Sequence, residues 1–268
     1  MKIYELSQIG EFHINHNEDA KAIIEIGDNK LLIAVMDGCS MGRESHFAST
    51  LIAKLLRKIG KEISYRAFVE KLELTIGEYL KEVMRLLFLE MSKIQQLLLL
   101  DTEELLSTII LGVLDTNVRA AKLITVGDGL ICVDGQIYEY EQDNQPDYLG
   151  YHLTEDFESW LEAQTQRLSV ENITDLSIST DGIFTFKNFD GKEYDSITEA
   201  EIIDYLLVGN TWADQAQMLS KKAVDIERMF GLKASDDLTV IRVVFGFEKK
   251  TRNLKTICLT NIGYMCGC

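Results

Sequence analysis

AIIEIGDNKLLIAVMDGCSMG, residues 22–42, is the stretch on which the fold turns. Two apolar runs flank Gly27-Asp28-Asn29, a turn-type cluster, so 22–36 reads as a β-hairpin. The second run, Leu31 to Met36, has the composition of a buried strand. It runs straight into Asp37 and a small-residue loop, Gly38-Cys39-Ser40-Met41-Gly42. Asp-Gly is the favoured two-residue hairpin turn. A carboxylate ejected from the end of a core strand beside a glycine-rich loop is equally a natural ligand for a hard cation. Asp37 alone does not decide between these.

Outward from this stretch the periodicity changes. Phe47, Leu51, Ile52, Leu55 and Ile59 fall at helical spacing, with Gly60 as the expected C-cap. A second helix is expected over about 66–100, carrying Leu72, Ile76, Tyr79, Leu80, Val83, Leu87 and Ile94 on one stripe, and the pair should pack antiparallel on a core. Strand character returns over 107–140, and Asp134-Gly135 reads as the turn of a hairpin between LICV and QIYEY. Another strand is expected over 170–180, continuing past a turn into 183–186. Thr198-x-x-Glu201 is a capping box opening a helix to about Leu207, a further helix fills about 211–229 and stops at Gly231, and the last strand is 238–247. Strands and helices in this order, without regular βαβ alternation, give an α+β class. The catalytic-type domain spans 1–247, and 248–268 is a tail of unknown role expected to be solvated.

Composition narrows the function classes. The 268 residues carry 43 acidic and 27 basic side chains, a formal charge of −16, and are 46% hydrophobic. Such a chain buries a sizeable core, and its negative surface repels phosphate backbones, so no nucleic-acid partner is expected. No run approaches a membrane span, and Glu5 and Gln8 interrupt any signal-peptide core. Five scattered cysteines without a CxxC fit a reduced, cytoplasmic protein; a monomer is expected.

Further carboxylates share the setting of Asp37. Glu18 and Asp19 precede the first hairpin strand, Asp128 and Asp181 each end an apolar run, and Asp236 and Asp237 precede the last strand. Oxygen ligands on several strand ends suit Mg²⁺ or Mn²⁺ better than Zn²⁺, since no His/Cys cluster has zinc spacing. Neither a CxxxxxR phosphate loop nor a GxxxxGKS/T nucleotide loop is present.

Five blocks in order, NEDA (17–20), VMDGCSMG (35–42), STIILGVLD with TVGDG (107–115 and 125–129), ISTDGIF (178–184) and SDDLTVI (235–241), resemble the metal-dependent type 2C serine/threonine phosphatases over about residues 10–247. The resemblance implies a four-layer α-β-β-α sandwich, two antiparallel sheets packed face to face with helices on both outer sides and metals at one end. It implies Asp37 as the carboxylate bridging two Mg²⁺ or Mn²⁺ ions, with the Gly38 carbonyl a further ligand. Asp181 and Asp236 would complete the first ion, Glu18 and Asp19 would hold the second, and Asp128 would serve a weak third. Two ions lower the pKa of a bridging water and offset the charge of the incoming phosphate. Asp19, Asp37 and His13 are then the groups expected at the reacting phosphate, the substrate a phosphoserine or phosphothreonine protein, and a serine/threonine kinase pathway the setting.

The departures from the family pattern are specific. The usual DGHGG-type loop is stretched and carries Cys39, expected as a small apolar filler more than as a nucleophile. The phosphate-gripping arginine is absent, and His13 lies nearest its place. Gly129 stands where a serine is usual, Thr185 where an aspartate is usual, and 140–169 is short for the usual flap. This pattern marks a divergent, bacterial-type branch. An active phosphatase and a catalytically weak pseudophosphatase that binds phosphoproteins as a regulator both remain open. Aspartyl-nucleophile phosphatases are disfavoured, because Val35-Met36-Asp37 lacks their first aspartate.

Overall fold

Alternation along single strands builds the layers. In β3 (Lys30–Met36) the side chains of Leu31, Ile33 and Val35 leave one face and those of Leu32, Ala34 and Met36 the other, and all six are buried. This is why the run is apolar throughout: it is covered on both sides. The computed structural model describes residues 1–42, 44–71, 74–140 and 146–246; the expected tail, 248–268, lies outside the described residues.

The chain begins with β1 (Lys2–Gln8), then β2 (Ala20–Gly27) and β3, followed by α1 (His46–Glu70) and α2 (Ile76–Leu98). Four strands follow, β4 (Ile109–Asp115), β5 (Ala120–Val126), β6 (Gly129–Val133) and β7 (Gln136–Tyr140). Next come α3 (Phe157–Ala163), β8 (Arg167–Val170), β9 (Asp175–Ser179) and the short β10 (Phe186–Asn188). The last elements are α4 (Glu199–Leu207), α5 (Met218–Phe230), β11 (Leu232–Ala234) and β12 (Leu238–Val244). One five-stranded antiparallel sheet has the order β1-β12-β9-β6-β7, the other β2-β3-β4-β5-β8.

Leu31, Ile33 and Val35 meet Ile131, Ile178, Ile241 and Val243 between the two sheets. On the outer face of one sheet, Leu32, Ala34 and Met36 pack under Ile52 and Leu56 of α1 and Val83 and Leu87 of α2. On the outer face of the other, Leu130 and Val240 pack under Leu206 of α4 and Leu219 and Ile226 of α5. Helices, sheet, sheet, helices: the expected α+β sandwich is the architecture present. Truncating a fully buried residue such as Leu32 to Ala is worth about 2–5 kcal/mol in such a core.

Element boundaries depart from expectation for identifiable reasons. Gly60 is not a C-cap. A Cβ there would lie 2.7 Å from Ile24 Cγ2, so the glycine lets α1 press onto β2 while the helix continues to Glu70. The strand expected over 170–180 is two strands, β8 in one sheet and β9 in the other, joined by the crossing segment 171–174. The helix expected from 211 begins only at Met218, and the strand expected to 247 ends at Val244. β1 has no counterpart among the sequence expectations, although Tyr4 and Leu6 alternate with Glu5 and Ser7; it pairs with β12 from Lys2↔Val244 to Gln8↔Leu238. The hairpin at Asp134-Gly135 is as expected, with φ of 51° and 87°.

Two basic side chains are buried under α4. Arg242 is fully buried, its Nε 3.0 Å from Asp175 Oδ1, and donates to Gly209 O and Val208 O; Lys222 Nζ donates to the carbonyls of Tyr205, Leu206 and Gly209. They satisfy the carbonyls that the end of α4 leaves open. No helix of the described residues is long and apolar enough to cross a membrane.

Candidate active site

Strand register brings the predicted carboxylates to one end of the sandwich. Ala20 pairs with Met36, which sets the flanking Asp19 and Asp37 side by side. Asp128 directly precedes β6, Asp181 follows β9 by one residue, and Asp236 and Asp237 lead into β12; β6 and β12 both pair with β9. The loop of Asp37 is fixed by its backbone: Thr108 N donates to Asp37 O at 2.9 Å, Gly38 N to Glu18 O at 3.2 Å, and Cys39 N to Leu106 O at 3.2 Å. Gly38 has no room for a side chain, since a Cβ would lie 2.1 Å from Ser45 O.

The clustered charges strain one another. Burial, then the charges of Asp19, Asp181 and Asp236, push the Asp37 carboxyl well above the usual range. Asp19 is 7% exposed; burial chiefly raises it to about 7, against hydrogen bonds from Thr180 and Thr239 and with help from Asp237 and Asp181. Asp181 is likewise raised to about 7 by burial and the charges of Asp128 and Asp236. Asp128 and Asp236 are raised in the same direction, first by burial. These shifts mean a pocket with too much negative charge for its hydration.

Individual side chains occupy distinct positions. Thr180 Oγ1 donates to Asp19 Oδ2 at 2.7 Å and accepts from Thr239 N at 3.0 Å, while Asp19 Oδ1 is buried with no hydrogen-bond partner. Both carboxylate oxygens of Glu18 are engaged: Ser40 Oγ donates to Oε2 at 2.9 Å and Ser45 Oγ donates to Oε1. Asp237, 1% exposed, is the residue that sequence reasoning passed over. Its carboxylate accepts from Gly10 N at 2.7 Å and from Glu18 N, and it lies 2.9 Å from His13 Nδ1. The sole sequence signal for it is its place beside Asp236. His13 Nε2 is 3.6 Å from Asp236 Oδ1. Burial lowers the His13 pKa, but the hydrogen bond and charge of Asp237, with Glu18 and Asp236, carry it above the ordinary value. His13 thus sits in the acidic cluster, with Nδ1 close enough to Asp237 for an ion pair but not aligned for a hydrogen bond.

The departures noted in the sequence also acquire physical reasons. Gly129 has φ of 134°, and a Cβ would lie 2.8 Å from Ser179 O, so a serine there would be strained. Thr185 Oγ1 donates to Gly182 O at 2.9 Å and accepts from Asp236 N at 3.1 Å, tying the turn at 181–184 to the segment carrying Asp236. Cys39 is buried against Leu106 and Tyr148 in a small apolar cluster, the filler's position.

Chemically the donor set is all oxygen, and an orphaned carboxylate oxygen among like charges is what a hard divalent cation would satisfy. Among the described residues, however, no three His, Cys, Asp or Glu side chains converge into a ready-made ligand set. The donor chemistry fits Mg²⁺ or Mn²⁺, and the side chains are not yet gathered around one point.

Comparison with known proteins bears on the family and the fold. The family model described as Protein phosphatase 2C matches residues 9–222. No curated protein sequence matches the chain. Among solved structures, a bacterial serine phosphatase superposes with a TM-score of 0.59 at 16% identity, covering 93% of this chain and 99% of that one. The serine/threonine phosphatase Stp1 from Staphylococcus aureus gives 0.57 at 16% identity, covering 91% and 95%. The PP2C phosphatase domain and regulatory-domain fragment of SpoIIE from Bacillus subtilis gives 0.53 at 20% identity, covering 91% and 63%. At these identities the superpositions speak for the fold. The family match spans most of the chain, from the loop that carries His13 and Glu18 through α4, and on it the chain belongs to the protein phosphatase 2C family.

Proposed function

We propose that this protein is a metal-dependent phosphoprotein phosphatase acting on phosphoserine or phosphothreonine. The observation that carries the reading is the set of five aspartates, Asp19, Asp37, Asp128, Asp181 and Asp236, gathered at one end of the sandwich. Each is driven toward protonation, and one has a buried oxygen with no donor. Asp37, Asp181 and Asp236 would hold one Mg²⁺ or Mn²⁺, and Asp37, the Gly38 carbonyl, Glu18 and Asp19 a second, with Asp128 toward a weak third. When bound, the ions supply positive charge facing the phosphate and let water attack phosphorus near neutral pH.

The chain's own residues do the rest. Thr180 fixes the orientation of Asp19, and Asp237 fixes the backbone of Glu18. Ser40 and Ser45 hold the Glu18 carboxylate, which must give up at least one of these bonds to serve a cation. Asp19 and Asp37 are both pushed toward the protonated form, so a cation held by them would displace protons and its loading would be coupled to proton release. His13, with Nδ1 against Asp237, keeps Nε2 for the phosphate side of the cluster. The partner is a phosphorylated protein, and its kinase pathway the setting. The alternative, a phosphoprotein-binding regulator with weak catalysis, is favoured by the engaged Glu18 and the missing arginine. It would leave the aspartate cluster without a task.

The deciding experiment is hydrolysis of p-nitrophenyl phosphate by EDTA-stripped protein with and without Mn²⁺. Turnover is expected only with metal. Asp37→Asn, which removes the charge shared by both ions, should lower it about a hundredfold or more while the protein stays folded. Metal-independent turnover, or wild-type turnover by Asp37→Asn, overturns the two-metal reading.

A further inference from the structure

An aromatic patch stands on the rim of the acidic cluster, on the segment that touches Asp236. Phe12 is 64% exposed and Ile14 90% exposed, although both flank His13, which is held by Asp237. Phe12 packs edge-on against Phe189, with ring centroids 5.7 Å apart and planes at 85°. Lys187 Nζ lies 5.3 Å from the centre of the Phe12 ring, so one face of that ring is overlaid by a cation.

The patch is held in place from below. Glu11 N donates to Ala234 O at 3.1 Å and Phe12 N to Ser235 O at 3.0 Å, which ties the loop to the residues just before Asp236. Lys233 Nζ is 2.8 Å from Glu11 Oε1. Phe189 follows β10, whose Phe186 pairs with Ala234 of β11, and Gly191 N donates to Asn188 Oδ1 at 2.9 Å to close the turn around it. Large aromatic side chains fixed by their backbone and left in water have little entropy to lose on binding; such residues dominate recognition surfaces.

We infer that Phe12, Phe189 and Lys187 form a recognition site for the substrate polypeptide, taking a large apolar side chain a few residues from the phosphorylated serine or threonine. The inference rests on the phosphatase reading of the neighbouring cluster. The occupant follows from position: a phosphoryl group drawn to the aspartate cluster brings the chain on either side of it across this rim. Phe12 is the sequence neighbour of His13, whose Nε2 lies 3.6 Å from Asp236 Oδ1, so an extended segment advancing roughly 3.3–3.6 Å per residue reaches the patch within a few residues of the phosphate. Charge points the same way. In a protein of formal charge −16, Lys187 places a cation where an anionic peptide would arrive. Aryl phosphates are too small to span both places.

The test is a coupling measurement. Fluorescein-labelled peptides carrying a non-hydrolysable phosphonate in place of phosphoserine are varied, Leu against Ser, at each of about three positions on either side. Binding to the wild type and to Phe12→Ala, Phe189→Ala and the double variant is read by anisotropy in Mn²⁺. At one position the wild type should prefer Leu about tenfold, and the double variant should lose most of that preference. With hydrolysable peptides, the ratio of kcat/KM for the Leu peptide to that for p-nitrophenyl phosphate should fall in parallel. Phe189→Ala lies on a different segment from His13, so agreement between the two single variants excludes disturbance of the His13 loop. A Leu preference absent from the wild type, or unchanged in the double variant, overturns the inference. A wild-type dimer that dissociates on Phe12→Ala overturns it too, by making the patch a self-interface. Failure of any phosphate to be hydrolysed would strike the phosphatase reading alone, because the binding measurement needs no turnover.

Discussion

Replacing Asp19 by Asn should stabilise the metal-free protein and weaken its response to metal. In the fold Asp19 Oδ2 accepts from Thr180, Oδ1 has no donor, and the Asp19 carboxyl neighbours that of Asp37. Asparagine keeps the acceptor toward Thr180 and offers its amide N–H to Asp37. Burial first, and the charges of Asp237 and Asp181, raise Asp19 from the ordinary 3.8 to about 7. A carboxyl raised in the fold binds more protons folded than unfolded, so its contribution to stability falls as pH rises from about 4 to about 7 and stays lost above. Three pKa units at 1.36 kcal/mol each give about 4 kcal/mol; one proton shared between Asp19 and Asp37 relieves both, so about 2–4 kcal/mol is the expected gain at pH 8. For a chain of this size that is roughly 4–16 °C in Tm. The assay is thermal melting in EDTA, at pH 4 and at pH 8, repeated with millimolar Mn²⁺. The variant should match the wild type at pH 4 and exceed it at pH 8, and Mn²⁺ should raise the wild type more than the variant. Equal melting temperatures in EDTA at pH 8, or the same difference at both pH values, would refute the charge-strain argument.

Other perturbations have expected outcomes of their own. His13 carries a raised pKa, so its pairing with Asp237 contributes stability that is full below the ordinary imidazole value and is lost as pH rises through the raised one; His13→Gln should therefore lower Tm more at pH 5.5 than at pH 9, and an equal loss at both would refute the pairing. Thr185→Val removes a hydroxyl that bridges Gly182 O and Asp236 N, at a cost of about 1–2 kcal/mol, and should weaken Mn²⁺ binding measured by calorimetry, whereas Thr185→Ser should restore both; Thr185→Asp should fail to create a third ion site, and a tight third site in that variant would show the hydroxyl is dispensable. Arg242→Met leaves Asp175 and the Val208 carbonyl without the guanidinium and Gly209 O with Lys222 alone, so chemical denaturation should report a loss of about 3–5 kcal/mol, and a loss below about 1 kcal/mol would mean that water replaces the guanidinium.

The parts of the fold legible in sequence are those set by local periodicity. The hairpin at 22–36, the helical stripe after it and the Asp134-Gly135 turn all follow from spacing and turn chemistry. Gly60 misleads because a glycine at the end of an apolar stripe looks like a cap, and only the nearness of Ile24 shows that it serves close packing. The crossing of 171–174 from one sheet to the other is invisible locally, because both halves are strand. In the candidate site, the aspartates are legible since each ends or begins an apolar run. Asp237 is legible in the same way, before the last strand, but its role is not, because its three partners, Gly10, His13 and Glu18, lie more than two hundred residues away in sequence. Nothing local marks Lys222 and Arg242 as buried; the α4 carbonyls that make their burial possible come from elsewhere in the chain.

The departures from the family pattern become coherent at the turn of Ser235, Asp236 and Asp237. Asp237 holds the loop 10–18 through Gly10 N and Glu18 N, and its carbonyl lies so close to Gly182 that a Cβ there would sit 1.9 Å away. Thr185 reaches the same turn through Asp236 N, and Ser235 N and Oγ both donate to Thr185 O. Three segments bearing candidate ligands, with Glu18 and Asp19, with Asp181, and with Asp236, are therefore attached to one another by side chains that are not themselves ligands. An aspartate at 185 would place a second acceptor against Gly182 O, where the threonine hydroxyl now donates, so the residue that departs from the family is the one that makes this attachment possible. With the frame held by Asp237, Thr185 and Ser235, the ligand carboxylates add only hydroxyl bonds, at Glu18 and Asp19, to their own repulsion. That is the condition under which a cation can gather them without remodelling the fold.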